Sequence, residues 1–163
     1  MNKKLIIISG TPGTGKSTLA KWLAKERGLD RFDLHKYYRH VSSGYDIRKK
    51  CYVVDIHKVE RLVLAMLQQS KNGVVFDSHI SHLLPKKLVD WCIVLTCSDL
   101  KKLKKRLQQR RYSSQKIREN LDAEIFQTCL TEARQRRHQK VIVYDTSTPL
   151  NKEIVLRQIS KSL

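Results

Sequence analysis

Acidic residues are scarce in this sequence. Its 163 residues include 15 Asp and Glu against 33 Lys and Arg, which gives a formal net charge of +18. An excess of this size favours polyanionic partners such as nucleotides or RNA. The alternative interpretation is a basic surface that serves solubility alone.

Paired cysteines and long apolar runs are also missing. The four cysteines form no Cys-x-x-Cys pair, which argues against a zinc knuckle and indicates free thiols in a reducing compartment. The apolar run at 5–8 is too short for a signal peptide, and no segment approaches the roughly 20 apolar residues of a membrane span. We therefore expect a cytoplasmic protein, or a nuclear one in a eukaryote, with no membrane partner. A monomer is a separate expectation.

Short apolar strands alternate with amphipathic helices along the chain. The runs predict strands at 4–9, 31–34, 73–77, 91–97 and 140–145. Helices are predicted at 16–28, from a cap at Asp55 to about 72, after a cap at Ser98 or Asp99, and at 150–162. This order predicts an α/β fold, a parallel sheet covered on both faces, within one domain spanning 1–163. Residues 35–54 are poorly periodic and predict an irregular insert with some helix.

The segment GTPGTGKS at 10–17 carries the strongest motif, because it matches G-x-x-x-x-G-K-[ST] between a strand and a helix. Its glycines let backbone N–H groups turn inward to phosphate oxygens. Lys16 is expected to reach the β- and γ-phosphates, Ser17 to ligate Mg²⁺ and Thr18 to contact the α-phosphate. The predicted nucleotide-binding residues are Gly13, Thr14, Gly15, Lys16, Ser17 and Thr18.

The stretch FDSHISH at 76–82 ends the third predicted strand. A metal cluster is one interpretation, but a structural zinc site needs further ligands, and none has suitable spacing. Asp77 is better interpreted as the acid that holds Mg²⁺ through water beside the phosphate loop. His79 is expected to position a water or an acceptor and to take up a proton, the alternative being a structural histidine. His82 is expected to be structural.

The reaction type has to come from other segments, since a phosphate loop alone does not choose one. The GTPase motif N-K-x-D has no match at YDTS, residues 144–147, and motor ATPases usually need a longer chain. Residues 101–140 carry 13 basic and 4 acidic side chains and predict a helix, a short basic loop and a second helix. Such a lid would stabilise a transferring phosphoryl group through Arg110, although a solvated or RNA-binding face is also possible.

Four segments together resemble the adenylate kinase isoenzyme 6 family: GTPGTGKST, YDIRKKCYVVD, VVFDSH and RLQQRRYSSQKIRENLDAEIF. The resemblance runs from about residue 4 to about 135. It implies a P-loop NTPase fold of the nucleoside monophosphate kinase type, with a five-stranded sheet in the order 2-3-1-4-5. It further implies the reaction ATP + AMP ⇌ 2 ADP with Mg²⁺, a basal ATPase, and a role in small ribosomal subunit maturation with a ribosomal protein and rRNA as partners.

The resemblance also assigns residues. Lys16, Asp77, His79 and Arg110 would be catalytic, and Arg110 would also contact ATP. An acceptor-binding insert would span about 33–54 and a short lid about 108–118. Within the insert, Asp33 would meet the acceptor or serve only as a turn residue, and Arg39 falls where an arginine could bind the AMP phosphate.

Two departures keep other functions open. The glycine that the family usually has in the lid is Arg111 here, and HKYYRH at 35–40 is more basic than the family's segment. One alternative is therefore an ATPase assembly factor with negligible kinase turnover. A second is a nucleic-acid 5′-hydroxyl kinase, which the positive charge suggests. The histidines outside FDSHISH are expected at the surface: His35, His40, His57 and His138.

Overall fold

The structure, a computed structural model, describes residues 3–160. The strands are β1 (Lys4–Gly10), β2 (Asp30–Asp33), β3 (Ser42–Asp46), β4 (Cys51–Val54), β5 (Gly73–Asp77), β6 (Trp91–Thr96) and β7 (Val141–Asp145). The α-helices are α1 (Lys16–Arg27), α2 (Tyr38–Val41), α3 (Ile56–Gln69), α4 (Leu100–Gln109), α5 (Ser114–Ile125), α6 (Thr128–Gln135) and α7 (Lys152–Ser160). Short 3-10 turns lie at Leu34–Tyr37, Ser81–Leu83 and Lys86–Leu88.

A parallel sheet in the order β2-β5-β1-β6-β7 forms the centre of the fold. Counting only these strands, the order is 2-3-1-4-5, which confirms the predicted topology. The register pairs Asp33 with Asp77, and Gly10 with Leu95, at the carboxyl edge of the sheet. In open parallel sheets this edge is where ligands bind.

Helices cover both faces of the sheet. On one face, α3 and α6 contribute Val59, Val63, Leu130 and Ala133 to a buried cluster. On the other, α1 and α7 contribute a second cluster that includes Leu19, Leu23, Val155 and Ile159. The central strands are therefore buried on both sides, and this explains their continuous apolar sequences.

Predicted helix ends mostly match the structure. Asp55 caps α3 by accepting the His57 N–H at 2.9 Å, and Asp99 caps α4 by accepting the Lys102 N–H at 3.0 Å. The third helix ends at Gln69, earlier than the predicted 72, because Ser70 turns to an extended conformation. The last helix is confirmed at Lys152–Ser160, and residues 161–162 of the prediction lie outside the described residues.

The expectation of an irregular insert at 35–54 is wrong in its second half. Residues 42–54 form an antiparallel hairpin, β3–β4, in which Tyr45 pairs with Tyr52. The Tyr38 and Tyr52 rings stack with centroids 5.9 Å apart, and Tyr45 meets Tyr52 edge-on at 5.2 Å. Aromatic contacts between separate segments stabilise this two-stranded unit. The apolar periodicity of each segment taken alone does not reveal such contacts.

The basic segment after β6 contains three helices, α4, α5 and α6. The predicted break after α4 is present, and Ser113 caps α5 by accepting the Lys116 N–H at 3.2 Å. A second break was not predicted: Gln127, with a left-handed φ of 49°, separates α5 from α6. The first two helices enclose a small apolar cluster of Cys97, Leu103, Leu107 and Ile117. Within residues 3–160 no helix is both long and apolar enough to cross a bilayer.

Candidate active site

The phosphate loop turns from the end of β1 into the start of α1. Gly13 adopts a left-handed φ of 91°, and a Cβ atom there would lie 3.0 Å from Leu103 Cδ1. The loop therefore packs directly on α4, and only glycine fits at this position. Within the loop, Thr14 Oγ1 and Lys16 Nζ donate to the Thr11 carbonyl at 2.8 and 3.0 Å. These contacts hold the loop curled before any ligand binds.

Lys16, the lysine of the loop, lies where an anion would bind. The pKa of Lys16 is lowered to about 8, chiefly by burial and also by nearby Arg110, while Cys129 and Asp77 oppose the shift. A triphosphate placed against this ammonium would favour its charged form. The site thus presents a poorly solvated cation where phosphate oxygens would lie.

Asp77 lies at the end of β5 with its side chain only 4% exposed. Ser17 Oγ donates to Asp77 Oδ2 at 2.8 Å, so the predicted metal pair is adjacent. Their hydroxyl and carboxylate oxygens are the ligand types that Mg²⁺ prefers, directly or through water. Arg31, which sequence reasoning missed, holds the same carboxylate from β2: Nε donates to Oδ1 at 2.8 Å and Nη2 to Oδ2 at 2.9 Å.

The imidazole of His79 is exposed to a cavity beside the loop rather than packed in the core. Nearby protein atoms reduce its solvation, and Lys16 adds repulsion, so the pKa of His79 falls to about 4. The ring is therefore neutral at pH 7. It can accept a proton or a hydrogen bond, and a bound phosphate would make protonation easier.

His82 lies beneath the loop in a chain of hydrogen bonds. Its Nδ1 is 2.6 Å from Ser9 Oγ, and its Nε2 is 2.7 Å from a Glu132 carboxylate oxygen. Since a carboxylate only accepts, Nε2 carries the proton in the neutral ring and Ser9 donates to Nδ1. His138, expected at the surface, is instead buried, and its Nε2 donates to the His82 carbonyl at 2.8 Å. A polar sequence context did not reveal this inward contact.

Among residues 3–160, no group of three or more His, Cys, Asp or Glu side chains has the arrangement of a metal site. In FDSHISH, Asp77 contacts Ser17 and Arg31, whereas His82 contacts Ser9 and Glu132. The stretch thus divides its side chains between two polar networks.

Two cavities flank the phosphate loop. The first, which we call the α7-side cavity, has a volume of about 770 Å³ and lies between the loop, α4 and the start of α7. Thr18, Lys102 and Arg106 line it, together with residues 146–150. Apart from the glycine backbone, its walls are hydroxyls, one amide, a few apolar groups and basic side chains.

The second, which we call the hairpin-side cavity, has a volume of about 750 Å³ and lies between the loop, the β3–β4 hairpin, α5 and α6. Its aromatic wall consists of Tyr38, Tyr45, Tyr52 and Tyr112. Its charged and titratable lining includes Lys16, Lys50, Lys116, His35, His79, Asp77 and Glu132. Cations outnumber anions in this lining, which suits an anionic ligand. The aromatic wall suits a ligand with a flat ring.

Two arginines of the α4 region line these spaces, one of them on both sides of the loop. Arg110, predicted in the lid, lines both cavities. Arg106, one helical turn earlier, was missed; its Nη2 donates to the Thr146 carbonyl at 2.9 Å and its Nη1 to the Gly13 carbonyl at 3.4 Å. The i, i+4 spacing of the pair, on the same side of the helix as buried Leu103 and Leu107, is the signal that could have found it.

Two predicted acceptor residues lie elsewhere. Asp33 caps the 3-10 turn by accepting the His35 N–H at 3.2 Å, and it also contacts Arg31 at 3.4 Å. Arg39 is exposed on α2. Neither is among the residues that line the two cavities. The structure thus brings the loop, Asp77, His79 and Arg110 together but places Asp33 and Arg39 outside that group.

Comparison with known proteins agrees with this geometry. Residues 6–127 match the family model described as an AAA domain. The chain is 41% identical to the adenylate kinase isoenzyme 6 homolog of Schizosaccharomyces pombe, over 85% of this chain and 78% of that protein. It is 38% identical to the homolog of the same name from Dictyostelium discoideum, over 91% and 85% of the two chains.

Among solved structures, the fold is similar to that of a deoxyadenosine kinase from M. mycoides with bound dCTP. The TM-score is 0.54 at 16% identity, over 96% of this chain and 99% of that one. At this identity the likeness shows the fold alone, which is that of P-loop kinases.

Proposed function

Because the chain belongs to the adenylate kinase isoenzyme 6 family, we propose that it transfers a phosphoryl group from ATP to AMP and yields two ADP. It is an enzyme of the nucleoside monophosphate kinase type. The observation that carries the proposal is the pair of cavities that share the phosphate loop and Arg110 as a common wall. Two nucleotides bound there would bring their phosphates together at Lys16, and such positioning supplies much of the catalysis of phosphoryl transfer.

ATP is the ligand of the α7-side cavity in this proposal. Its phosphates would lie in the loop against backbone N–H groups, with Lys16 on the β- and γ-phosphates and Thr18 near the α-phosphate. Mg²⁺ would be held by Ser17 directly and by Asp77 through water, and when bound it neutralises phosphate charge. Arg106 fixes the loop to residue 146 and so keeps this cavity in shape.

AMP is the ligand of the hairpin-side cavity. Its base would stack within the aromatic wall, and its phosphate would face the cations Lys16, Arg110 and Lys116. Lys116 is a lid cation that touches this wall, since its Nζ lies 4.2 Å above the Tyr112 ring. We assign the phosphate to these residues in place of Arg39 and Asp33.

His79 orients the acceptor in this reaction. An AMP phosphate is already an anion, so its attack on ATP needs no strong base. A neutral imidazole with a pKa of about 4 suits hydrogen bonding to the attacking oxygen better than proton removal. With water in place of AMP, the unprotonated ring nitrogen would instead accept a hydrogen bond from that water and support a slower ATPase reaction.

A second candidate function is an ATPase that assists small ribosomal subunit assembly, with a ribosomal protein and rRNA as partners. The charge of the described surface supports it. Helix α4 carries five basic residues and no acid, and Lys101, Lys104 and Lys105 are exposed. Such a face attracts phosphate backbones.

ADP formation from Mg-ATP, measured with and without AMP, tests the proposal. We expect AMP to accelerate ADP formation by about tenfold or more, because it replaces water as a positioned acceptor. A rate that AMP does not change would contradict the kinase and leave the assembly ATPase. An oligoribonucleotide with a 5′-hydroxyl, offered in place of AMP, is expected to accept no phosphate.

A further inference from the structure

Arg31 occupies the carboxylate on which the metal site depends. Its guanidinium binds both Asp77 oxygens at 2.8 and 2.9 Å, in the two-pronged geometry that makes such pairs strong. We propose that Arg31 is a positioning residue that sets how strongly nucleotide binding depends on Mg²⁺, by competing with metal-bound water for Asp77. This inference rests on the proposed ATP site.

Asp77 has few free acceptor positions left for a metal-bound water. A carboxylate offers about four lone-pair sites. Arg31 uses one on each oxygen, and Ser17 uses the second on Oδ2. A hydroxyl that ligates Mg²⁺ through oxygen still donates its proton, so the Ser17 bond is compatible with the metal. Only one position, on Oδ1, is then left for a metal-bound water while Arg31 stays in place.

The positive charge of Arg31 also opposes a metal ion at this site. The β2–β5 register places Asp33 beside Asp77, and Arg31 bridges them, with Nη1 3.4 Å from Asp33 Oδ2. The guanidinium therefore supplies a fixed positive charge beside the predicted metal position. It stabilises the two carboxylates when no metal is bound and repels Mg²⁺ when it arrives.

The position of Arg31 on the sheet leaves its side chain room to move away from Asp77. Strand β2 is at the edge of the sheet, and the Arg31 side chain is 18% exposed, so it is not locked within the apolar core. Phe32, its neighbour, is the residue of this strand that fills the core. Arg31 can therefore turn toward solvent when the metal binds without disturbing the packing of β2.

The test measures ATP binding by calorimetry in MgCl₂ and in EDTA, for the wild type and Arg31→Gln. Arg61→Gln, an exposed change on α3 with the same loss of charge, is the control. We expect the preference for Mg-ATP over metal-free ATP to rise by about tenfold in Arg31→Gln and to stay at the wild-type value in the control. Arg31→Lys, which keeps the charge but not the two-pronged contact, should fall between them.

A spectroscopic measurement separates this role from a structural one. Mn²⁺ titrated into the protein–ATP complex, followed by its paramagnetic resonance signal, should bind more tightly to Arg31→Gln than to wild type. A variant that loses thermal stability but keeps the wild-type metal preference would overturn the inference, as would weaker Mn²⁺ binding. If the wild type binds no ATP in either buffer, the proposed function itself fails.

Discussion

The two cavities beside the phosphate loop have nearly the same volume but are built from different chemistry. The α7-side cavity is lined by glycine backbone, by hydroxyls and by Arg106, which a hydrogen bond to the Thr146 carbonyl holds in place. The hairpin-side cavity is lined by tyrosines, histidines and lysines that come from the hairpin, from α5 and from the segments at 35–38 and 79–82, together with Lys16 of the phosphate loop and Tyr112 between α4 and α5. The first side owes its shape to the core of the fold, whereas the second depends on contacts between small peripheral elements.

This difference suggests a division of labour. A rigid backbone cradle suits the triphosphate, which every reaction of a P-loop protein shares. A wall of aromatic rings on a hairpin can change residue by residue, so it suits recognition of the acceptor. Mutations on the two sides should therefore affect different kinetic constants.

The largest effect is expected at the lysine that both nucleotides share. Lys16→Met should lower phosphoryl transfer by about 100- to 1,000-fold, because it removes a poorly solvated cation from the transferring phosphoryl group. Steady-state ADP formation measures the loss, and Lys21→Met, exposed on α1, is the control. Activity within tenfold of wild type would show that the phosphates do not meet at this residue.

A smaller loss is expected at the residue that lines both cavities. Arg110→Met should lower kcat by about 10- to 100-fold and affect ATP and AMP alike. Its neighbour Arg111 lies outside both linings at a left-handed φ of 57°, so Arg111→Met is a matched control with little change. Equal losses in the two variants would contradict a specific role for Arg110.

The acceptor side alone should respond to the hairpin. Tyr52→Ala removes the ring that contacts both Tyr38 and Tyr45 and should raise the KM for AMP by up to about tenfold. The Kd for ATP should stay unchanged by calorimetry. Val53→Ala, an exposed change on the same strand, should leave both constants unaltered. An equal rise in the KM for AMP and the Kd for ATP after Tyr52→Ala would contradict separate roles for the two cavities.

The smallest effect is a pH dependence of stability. Because the pKa of His79 is about 4 in the folded chain and near 6.5 when unfolded, the unfolded state binds more protons between these values. Stability is full above pH 6.5 and declines as pH falls toward 4. His79→Gln should reduce this decline in Tm by a few degrees at most, whereas the exposed control His57→Gln should not. An unchanged slope in His79→Gln would contradict a lowered pKa for this histidine.

The sheet and the loop could be predicted because local sequence determines them. A continuous apolar run indicates a buried parallel strand, and G-x-x-x-x-G-K-S shapes the loop through its glycines and through short-range contacts such as those of Thr14 and Lys16 with Thr11. Arg31 and the tyrosines could not be predicted in the same way. Their positions follow from the register of β2 with β5 and from pairing within β3–β4, and these are relations between segments distant along the chain.

Binding of a bisubstrate dinucleotide, with two adenosines joined by five phosphates, tests most directly whether the two cavities form one site. We expect each chain to bind one molecule of the dinucleotide, which at saturation excludes both ATP and AMP. Tyr52→Ala should weaken this binding. Two molecules bound per chain, or free access of AMP when ATP is excluded, would contradict this expectation.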